Sequence, residues 1–186
     1  SVTGLTAKVA VNLTGNNART TITHAVATVV GTADALALTL NGANTTTAGT
    51  LTVNGFETIN AAATGATGSS TRSLTIVDDS LQTLAITGAG ASNITATLSG
   101  AGGAVVGTVT GGDGAETLTI TPGSSALLSI STNAGNDRVI ISAIAATHTI
   151  AGGDGTDILE TSASITTTTG ANISGFETVR VSGGAT

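Results

Sequence analysis

Three short stretches decide the fold: residues 111–119 (GGDGAETLT), 132–140 (TNAGNDRVI) and 152–160 (GGDGTDILE). Each begins with a turn rich in glycine or asparagine, carries an acidic residue at its sixth position and then continues into β-branched residues. Similar aliphatic runs recur roughly every ten residues from residue 84 onward, separated by Gly, Ser, Asn or Asp, which is the pattern of strands and turns. A fixed spacing of this kind predicts a solenoid, in which each coil buries its face by stacking on its neighbours.

The spacing of the acidic residues predicts the length of a coil. Glu116, Asp137 and Asp157 occupy the sixth positions, 21 and 20 residues apart, and Asn93 is assigned to the equivalent position 23 residues before Glu116. The turns between them contain no acid, so the simplest geometry is a parallel β-solenoid with two strands and two turns per coil and with every acidic turn at one edge. Parallel strands stack about 4.8 Å apart, which would align the carboxylates in a column. Like charges at that spacing favour a cation between them.

The composition excludes several other classes of fold and function. The 186 residues include 39 Thr, 30 Ala and 26 Gly, with two Phe, no Trp, Tyr, Met or Cys, 9% charged residues and a net charge of −6. Helix is disfavoured by Thr, Val, Ile and Gly, and disorder by the low charge and abundant aliphatic residues, so the chain is predicted to be all-β. We expect no nucleic-acid binding, because basic and aromatic residues are scarce, and no membrane insertion, because no apolar run approaches about 18 residues.

A longer repeat joins the two ends of the chain. Residues 53–59 (VNGFETI) and 173–179 (ISGFETV) are near copies, 120 residues apart, and use both phenylalanines. We predict that Phe56 and Phe176 fill gaps left by small side chains and that Glu57 and Glu177 lie at the surface. Residues 1–186 are interpreted as one continuous solenoid with a module boundary at 63–72. Because the chain begins Ser-Val-Thr-Gly without Met, it is interpreted as a fragment of a longer protein.

The glycine-rich turns are candidate calcium sites. Glycine permits turns that point carbonyl oxygens inward, and two stacked turns could together supply the six to eight oxygens that calcium requires. The competing interpretation is a set of plain Gly-Asp turns. The candidate ligands are Gly112, Asp113, Gly114, Glu116, Asn133, Gly135, Asn136, Asp137, Gly153, Asp154, Gly155 and Asp157. A further set comprises Asp34, Asp78, Asp79 and Asn93, although the Asp78–Asp79 pair is more typical of a solvated Asx turn.

Residues 88–160 resemble the RTX (repeats-in-toxin) proteins of Gram-negative bacteria through the pattern Gly-Gly-x-Gly-x-Asp-x-aliphatic-x. The Thr, Ala and Gly content and the repeated Gly-Phe-Glu-Thr are similar to RTX-type surface-layer proteins of the Caulobacter kind. The resemblance implies Ca2+ binding, type I secretion, a location on the bacterial cell surface and self-association into a two-dimensional lattice. It also implies attachment to cell-surface polysaccharide through parts outside this chain. Only alternate turns match the motif here, whereas the densest runs of the family match at every turn.

Two other functions stay open: a spacer or ligand-binding segment of an RTX adhesin, and the C-terminal RTX module of a secreted protease or lipase. No catalytic residues are predicted within the chain, because His24 and His148 lack the neighbours that nucleophilic or metal catalysis requires. We expect His148 to face solvent and Arg138 to pair with a neighbouring acid.

Overall fold

The computed structural model describes residues 2–5, 9–14, 20–24, 31–41, 49–64, 72–125 and 127–182. They form a β-solenoid built from two long parallel sheets, which confirms the predicted fold class. Successive strands along the chain alternate between the two sheets, and all of the paired strands are parallel. Each coil therefore contributes one strand to each sheet, as the spacing of the acidic turns predicts.

The first sheet has nine strands: β1 (Val2–Leu5), β3 (Thr20–His24), β5 (Gly49–Thr52), β7 (Arg72–Val77), β9 (Ser92–Thr97), β12 (Glu116–Thr121), β15 (Arg138–Ile141), β17 (Ile158–Thr161) and β19 (Thr178–Val181). The second has eight: β2 (Val11–Thr14), β4 (Ala35–Asn41), β6 (Thr58–Thr64), β8 (Thr83–Thr87), β11 (Gly107–Thr110), β14 (Leu128–Ser131), β16 (His148–Ala151) and β18 (Ile173–Ser174). Two short strands, β10 (Gly102–Gly103) and β13 (Ser124–Ser125), pair outside these sheets.

The core lies between the two sheets and consists of aliphatic side chains at alternate strand positions. In β12, Leu118 and Ile120 are buried, whereas Thr117 and Thr119 point outward and are half-buried. The same alternation recurs in the strands on either side, where Ile94 and Val139 pair with Leu118. Because side chains alternate between faces in a strand, threonine supplies the outer surface while Leu, Ile and Val supply the core.

The strand register fixes which turn residues align, and it corrects one assignment. Glu116 pairs with Ser92, and Thr117 pairs with Asn93. Asn93 therefore belongs to the strand, one residue beyond the sixth position, and Ser92 occupies the place predicted for it. The coil between these turns is longer than the next two, and the sequence pattern by itself does not show where the additional residues are accommodated.

The two copies of the Phe-Glu-Thr repeat lie at opposite edges of the solenoid. The first copy precedes β6 in the eight-stranded sheet, and the second precedes β19 in the nine-stranded sheet. Phe56 is completely buried, as predicted, while Phe176 is only partly buried. The prediction of a surface position is wrong for Glu57, which is buried, because the next coil covers this edge. Most of the predicted boundary at 63–72 lies outside the described residues.

The helical content of the described residues is one turn, α1 (Thr167–Gly170), which starts with a capping box made by Thr166 and Thr169. No helix in the described part of the chain is long and apolar enough to cross a membrane.

Candidate metal centre

Four acidic residues form a column along the edge of the solenoid that precedes the nine-stranded sheet. Glu116, Asp137, Asp157 and Glu177 precede or begin β12, β15, β17 and β19, which are neighbours in that sheet. The backbone N–H of Glu116 donates to Asp137 Oδ1 at 2.7 Å, that of Asp137 to Asp157 Oδ1 at 2.8 Å, and that of Asp157 to Glu177 Oε2 at 2.7 Å. The carboxylates of Asp137, Asp157 and Glu177 therefore each link their own coil to the preceding one, whereas that of Glu116 accepts from the N–H of Gly112 in its own turn.

The second oxygen of three of these carboxylates is buried and has no hydrogen-bond partner among the described residues. These atoms are Glu116 Oε1, Asp137 Oδ2 and Asp157 Oδ2, and the exposure of the three residues is 1%, 1% and 0%. Burying a carboxylate without a compensating partner is costly, so such atoms call for a proton or a cation beside them. In the coil before Glu116, Ser92 occupies the equivalent position and places a buried hydroxyl where the later coils have a carboxylate.

Burial also changes the acidity of the column. Desolvation, reinforced by the negative charge of Asp137, raises the pKa of Glu116 to about 8, against the opposing effect of its hydrogen bond from Gly112. Desolvation likewise raises the pKa of Asp137 to about 6. The N–H of Glu116 and the nearby hydroxyl of Thr132 oppose the rise, and the charge of Asp157 adds to it. A cation close to these oxygens would reverse the shifts, because it stabilises the ionised form.

Glycine at position 152 allows two oxygen atoms to approach the turn closely. A Cβ added to Gly152 would lie 2.8 Å from Asp157 Oδ2 and in steric overlap with the carbonyl oxygen of Gly175. A carboxylate oxygen and a carbonyl oxygen therefore both pack against this glycine. Hard oxygen atoms of these two kinds are the ligands that calcium takes in proteins.

The turn at residues 132–137 begins with Thr132 and Asn133, where the other two turns have a pair of glycines. Asn133 has a φ of +64°, in the left-handed region, which confirms that asparagine can take the place of glycine there. Its side-chain Nδ2 donates to the carbonyl oxygen of Gly111 at 2.7 Å. Thr132, at the first position, is buried and its hydroxyl donates to the carbonyl oxygen of Gly152. Both side chains therefore bind adjacent coils.

Most of the remaining candidate ligands line an outer groove rather than the column. Asp113, Asn136 and Asp154 are exposed and line a shallow groove together with Gly114, Gly135 and Gly155. Asn136 Oδ1 accepts a hydrogen bond from the N–H of Thr156 at 2.9 Å. Of the other two candidates, Gly112 is buried and Gly153 is exposed, and they lie in the turns that carry Glu116 and Asp157. The structure thus separates the predicted ligands into an inner column and an outer groove.

A second acidic group lies at the opposite edge, before strands of the eight-stranded sheet. Asp34, Glu57 and Asp78 are buried there, and the N–H of Asp34 donates to Glu57 Oε2 at 2.8 Å. Asp78 Oδ1 accepts from the N–H of Ser80 at 2.8 Å, which is the Asx turn that the sequence favours, although it is buried rather than solvated. Burial raises the pKa of Asp78 to about 6, against hydrogen bonds from Ser80 and Phe56.

The predicted surface position of Glu177 is confirmed, because the residue is exposed. Its place in the column was missed, although its position 20 residues after Asp157 repeats the coil spacing. His148 is 3% exposed and points into the core, so the expectation that it faces solvent is wrong. Arg138 and Arg180 both pair with Glu160, which confirms the predicted ion pair of Arg138.

Within the described residues, no three acidic or imidazole side chains converge on one point. A cation at the column would therefore depend on backbone carbonyl oxygens and water as well as on carboxylates. Comparison of the chain with protein-family models, with curated proteins and with solved structures finds no match.

Proposed function

We propose that this chain is a calcium-stabilised structural β-solenoid of a secreted bacterial surface layer. The observation that carries the calcium proposal is the unpaired, buried oxygen of Asp157, which packs against Gly152, as the carbonyl oxygen of Gly175 also does. Asp137 and Glu116 repeat the unpaired oxygen in the two preceding coils. The donor set fits a hard divalent cation, and Glu116, Asp137 and Asp157 are the side chains that would hold it.

Calcium would supply positive charge and would be bound by oxygen ligands from neighbouring coils. In its absence a proton on Glu116, whose pKa burial raises to about 8, relieves part of the buried negative charge at neutral pH. Since metal ligands must be deprotonated, calcium binding at neutral pH would release protons and stabilise the folded coils. The backbone hydrogen bonds to the first oxygens of Asp137 and Asp157 orient these side chains before any ion arrives.

The surface-layer part of the proposal draws support from the outer face of the eight-stranded sheet. Outward positions in register across β6, β8, β11, β14 and β16 are occupied by Thr58, Thr83, Thr108, Ser129 and Thr149. The next outward column contains only Asn, Ala, Thr and Ser in the same strands. A regular, uncharged face of small side chains suits close lateral packing of identical copies.

Calcium titration of chelator-treated protein tests the metal proposal. We expect a heat of binding by calorimetry, a gain of β structure by far-UV circular dichroism and a rise in Tm. The double variant Asp137→Asn/Asp157→Asn should lose these responses. Glu160→Gln, which removes an equally negative side chain outside the column, should retain them. A wild-type protein that shows neither heat nor a change in Tm would refute calcium binding.

Electron microscopy of the protein with calcium tests the surface-layer assignment. Ordered sheets support a lattice protein, whereas isolated rods that bind calcium support the adhesin alternative.

A further inference from the structure

Three charged side chains on the outer face of the nine-stranded sheet form a line that we call the charged row: Arg138, Glu160 and Arg180. They lie on the neighbouring strands β15, β17 and β19. Both arginines donate to Glu160, one to each carboxylate oxygen. These hydrogen bonds hold the pKa of Glu160 below its usual value, so the carboxylate is ionised at neutral pH. The row therefore carries positive, negative and positive charge in succession along the axis of the solenoid.

Both arginines are accessible from the side of the solenoid. The side chains of Arg138 and Arg180 are 42% and 57% exposed. Each guanidinium group has five N–H donors, so its bond to Glu160 leaves donors for a second carboxylate. Outward side chains of a strand point away from the core and not along the axis. Coils stacked at either end of the solenoid would therefore leave the charged row uncovered.

The outer groove has the opposite charge and also runs along the axis. Asp113, Asn136 and Asp154 are exposed there and lie in three successive turns. An added Cβ at Gly135 or Gly155 would overlap a carbonyl oxygen of the preceding coil, so side chains cannot fill the groove at these positions. Within the described part of the chain, neither aspartate pairs with an arginine. The groove thus presents two carboxylates with a neutral amide between them.

The charged row and the outer groove match in spacing and in sign. Asp113 and Asp154 precede β12 and β17, which lie two coils apart, and Arg138 and Arg180 are also two coils apart. Parallel strands stack about 4.8 Å apart, so each pair spans about 10 Å along the axis. Each aspartate can then face an arginine of a neighbouring molecule, while the amide in the middle of the groove faces the carboxylate in the middle of the row. Because both spacings come from one coil repeat, a second copy of this chain carries the period that the groove requires.

We propose that the charged row of one molecule docks into the outer groove of a second copy of this chain. Pairs of guanidinium and carboxylate groups give such a contact both strength and orientation. The proposal rests on the self-association named in the proposed function and assigns a surface to it, but it needs no calcium. The uncharged outer face of the eight-stranded sheet lies on the other side of the core. The two surfaces can therefore act together and supply the two directions of packing that a sheet of molecules needs.

Charge reversal followed by rescue tests the docking. Self-association of the full chain is measured by analytical ultracentrifugation at low salt, in calcium and again in chelator. We expect Arg180→Glu to raise the Kd of self-association by about tenfold or more, because it brings like charges together. Asp113→Arg and Asp154→Arg should each weaken association in the same way. A mixture of Arg180→Glu with the aspartate variant that faces it should restore the wild-type Kd, because the reversed pair attracts again.

Two further measurements separate docking from a general effect of charge or from misfolding. Ala104→Glu/Val106→Glu changes the net charge by the same amount as Arg180→Glu, at exposed positions of the opposite edge, and should leave the Kd unchanged. Added NaCl should weaken association of the wild type, which tests the contact without any substitution.

The outcomes distinguish this proposal from the proposed function. Rescue by neither aspartate variant, or equal weakening by the control at the opposite edge, would overturn the docking. Ordered assembly that every charge variant retains would overturn the docking alone and leave the surface-layer proposal standing. A wild type that stays monomeric in both buffers would overturn the docking together with self-association, while calcium binding is judged by its own titration.

Discussion

The backbone N–H of Asp137 donates a 2.8 Å hydrogen bond to Asp157 Oδ1, and the other oxygen of the same carboxylate is buried without a partner among the described residues. One side chain therefore does two things: it holds the preceding coil through the first oxygen and leaves the second available to a proton or a cation. The arrangement repeats at Asp137, whose Oδ1 accepts the N–H of Glu116. This repetition makes the edge of the solenoid a ladder of carboxylate-to-backbone bonds.

Substitution of Asp157 separates these two roles. In chelator, Asp157→Ala should destabilise the protein by about 1–3 kcal/mol, because it leaves the buried N–H of Asp137 unpaired. Asp157→Asn keeps an acceptor for that N–H and should therefore cost less. Urea unfolding with and without calcium measures both effects. A stabilisation by calcium that survives in Asp157→Asn would exclude this carboxylate as a ligand.

The stability of the metal-free protein should depend on pH through Glu116. Its pKa is raised from 4.5 to about 8 in the folded state, so the folded state binds the proton more tightly than the unfolded state does. The destabilisation is therefore fully present above pH 8 and is relieved as the pH falls. We expect stability in chelator to increase from pH 9 to pH 7, where no Cys or Tyr titrates. Glu116→Gln should flatten this slope, while Glu160→Gln should preserve it.

Protonation of His148 should lower the stability of the folded state as the pH falls, which is opposite to the effect of Glu116. Burial lowers its pKa below 6.5, so protonation favours the unfolded state, and its stabilising contribution is lost as the pH falls through and below 6.5. Its Nδ1 also accepts the N–H of Ala145 at 3.2 Å, a bond that protonation removes. Chelator-treated His148→Leu should therefore lose less stability than the wild type between pH 7 and pH 5. Equal losses, measured by urea unfolding, would show that His148 is not responsible.

The two phenylalanines provide a matched pair for core packing. Phe56→Ala should cost about 3–5 kcal/mol, the usual range for a fully buried phenylalanine. Phe176→Ala should cost less than half as much, because this side chain is only partly buried. Chemical denaturation of both variants checks the difference. Equal costs would mean that Phe176 is covered in solution.

Glycine substitutions distinguish backbone strain from close approach of coils. Gly153 has a φ of +98°, and an added Cβ would overlap the carbonyl oxygen of Asn133 in the preceding coil. Gly103 has a φ of +58° but open space around the same position. Gly103→Ala should cost about 1–2 kcal/mol from conformation, and Gly153→Ala should cost more. Thermal unfolding compares the two variants, and equal Tm values would rule out tight stacking at Gly153.

Much of the fold could be predicted from local pattern. The alternation in segments such as 116–121 predicts strands, and the 20- and 21-residue spacing of the acids predicts two strands per coil, because both signals come from residues that repeat within a single coil. The same spacing also predicts Asp137 and Asp157 as candidate ligands, and both lie in the column. Asn93 was misplaced by one residue, because register depends on pairing with Thr117 in another coil rather than on the local turn.

By itself, the sequence determined that the chain is all-β, that its coils repeat near 20 residues and that its acids recur once per coil. Only the tertiary structure decided which edge each acid occupies and which side chains are buried. Glu57 and Glu177 have the same neighbours in sequence, yet the first is buried beneath β8 and the second is exposed. The physical reason is that burial and hydrogen bonding are set by the next coil. Its residues lie some 20 positions away and are not part of the local motif.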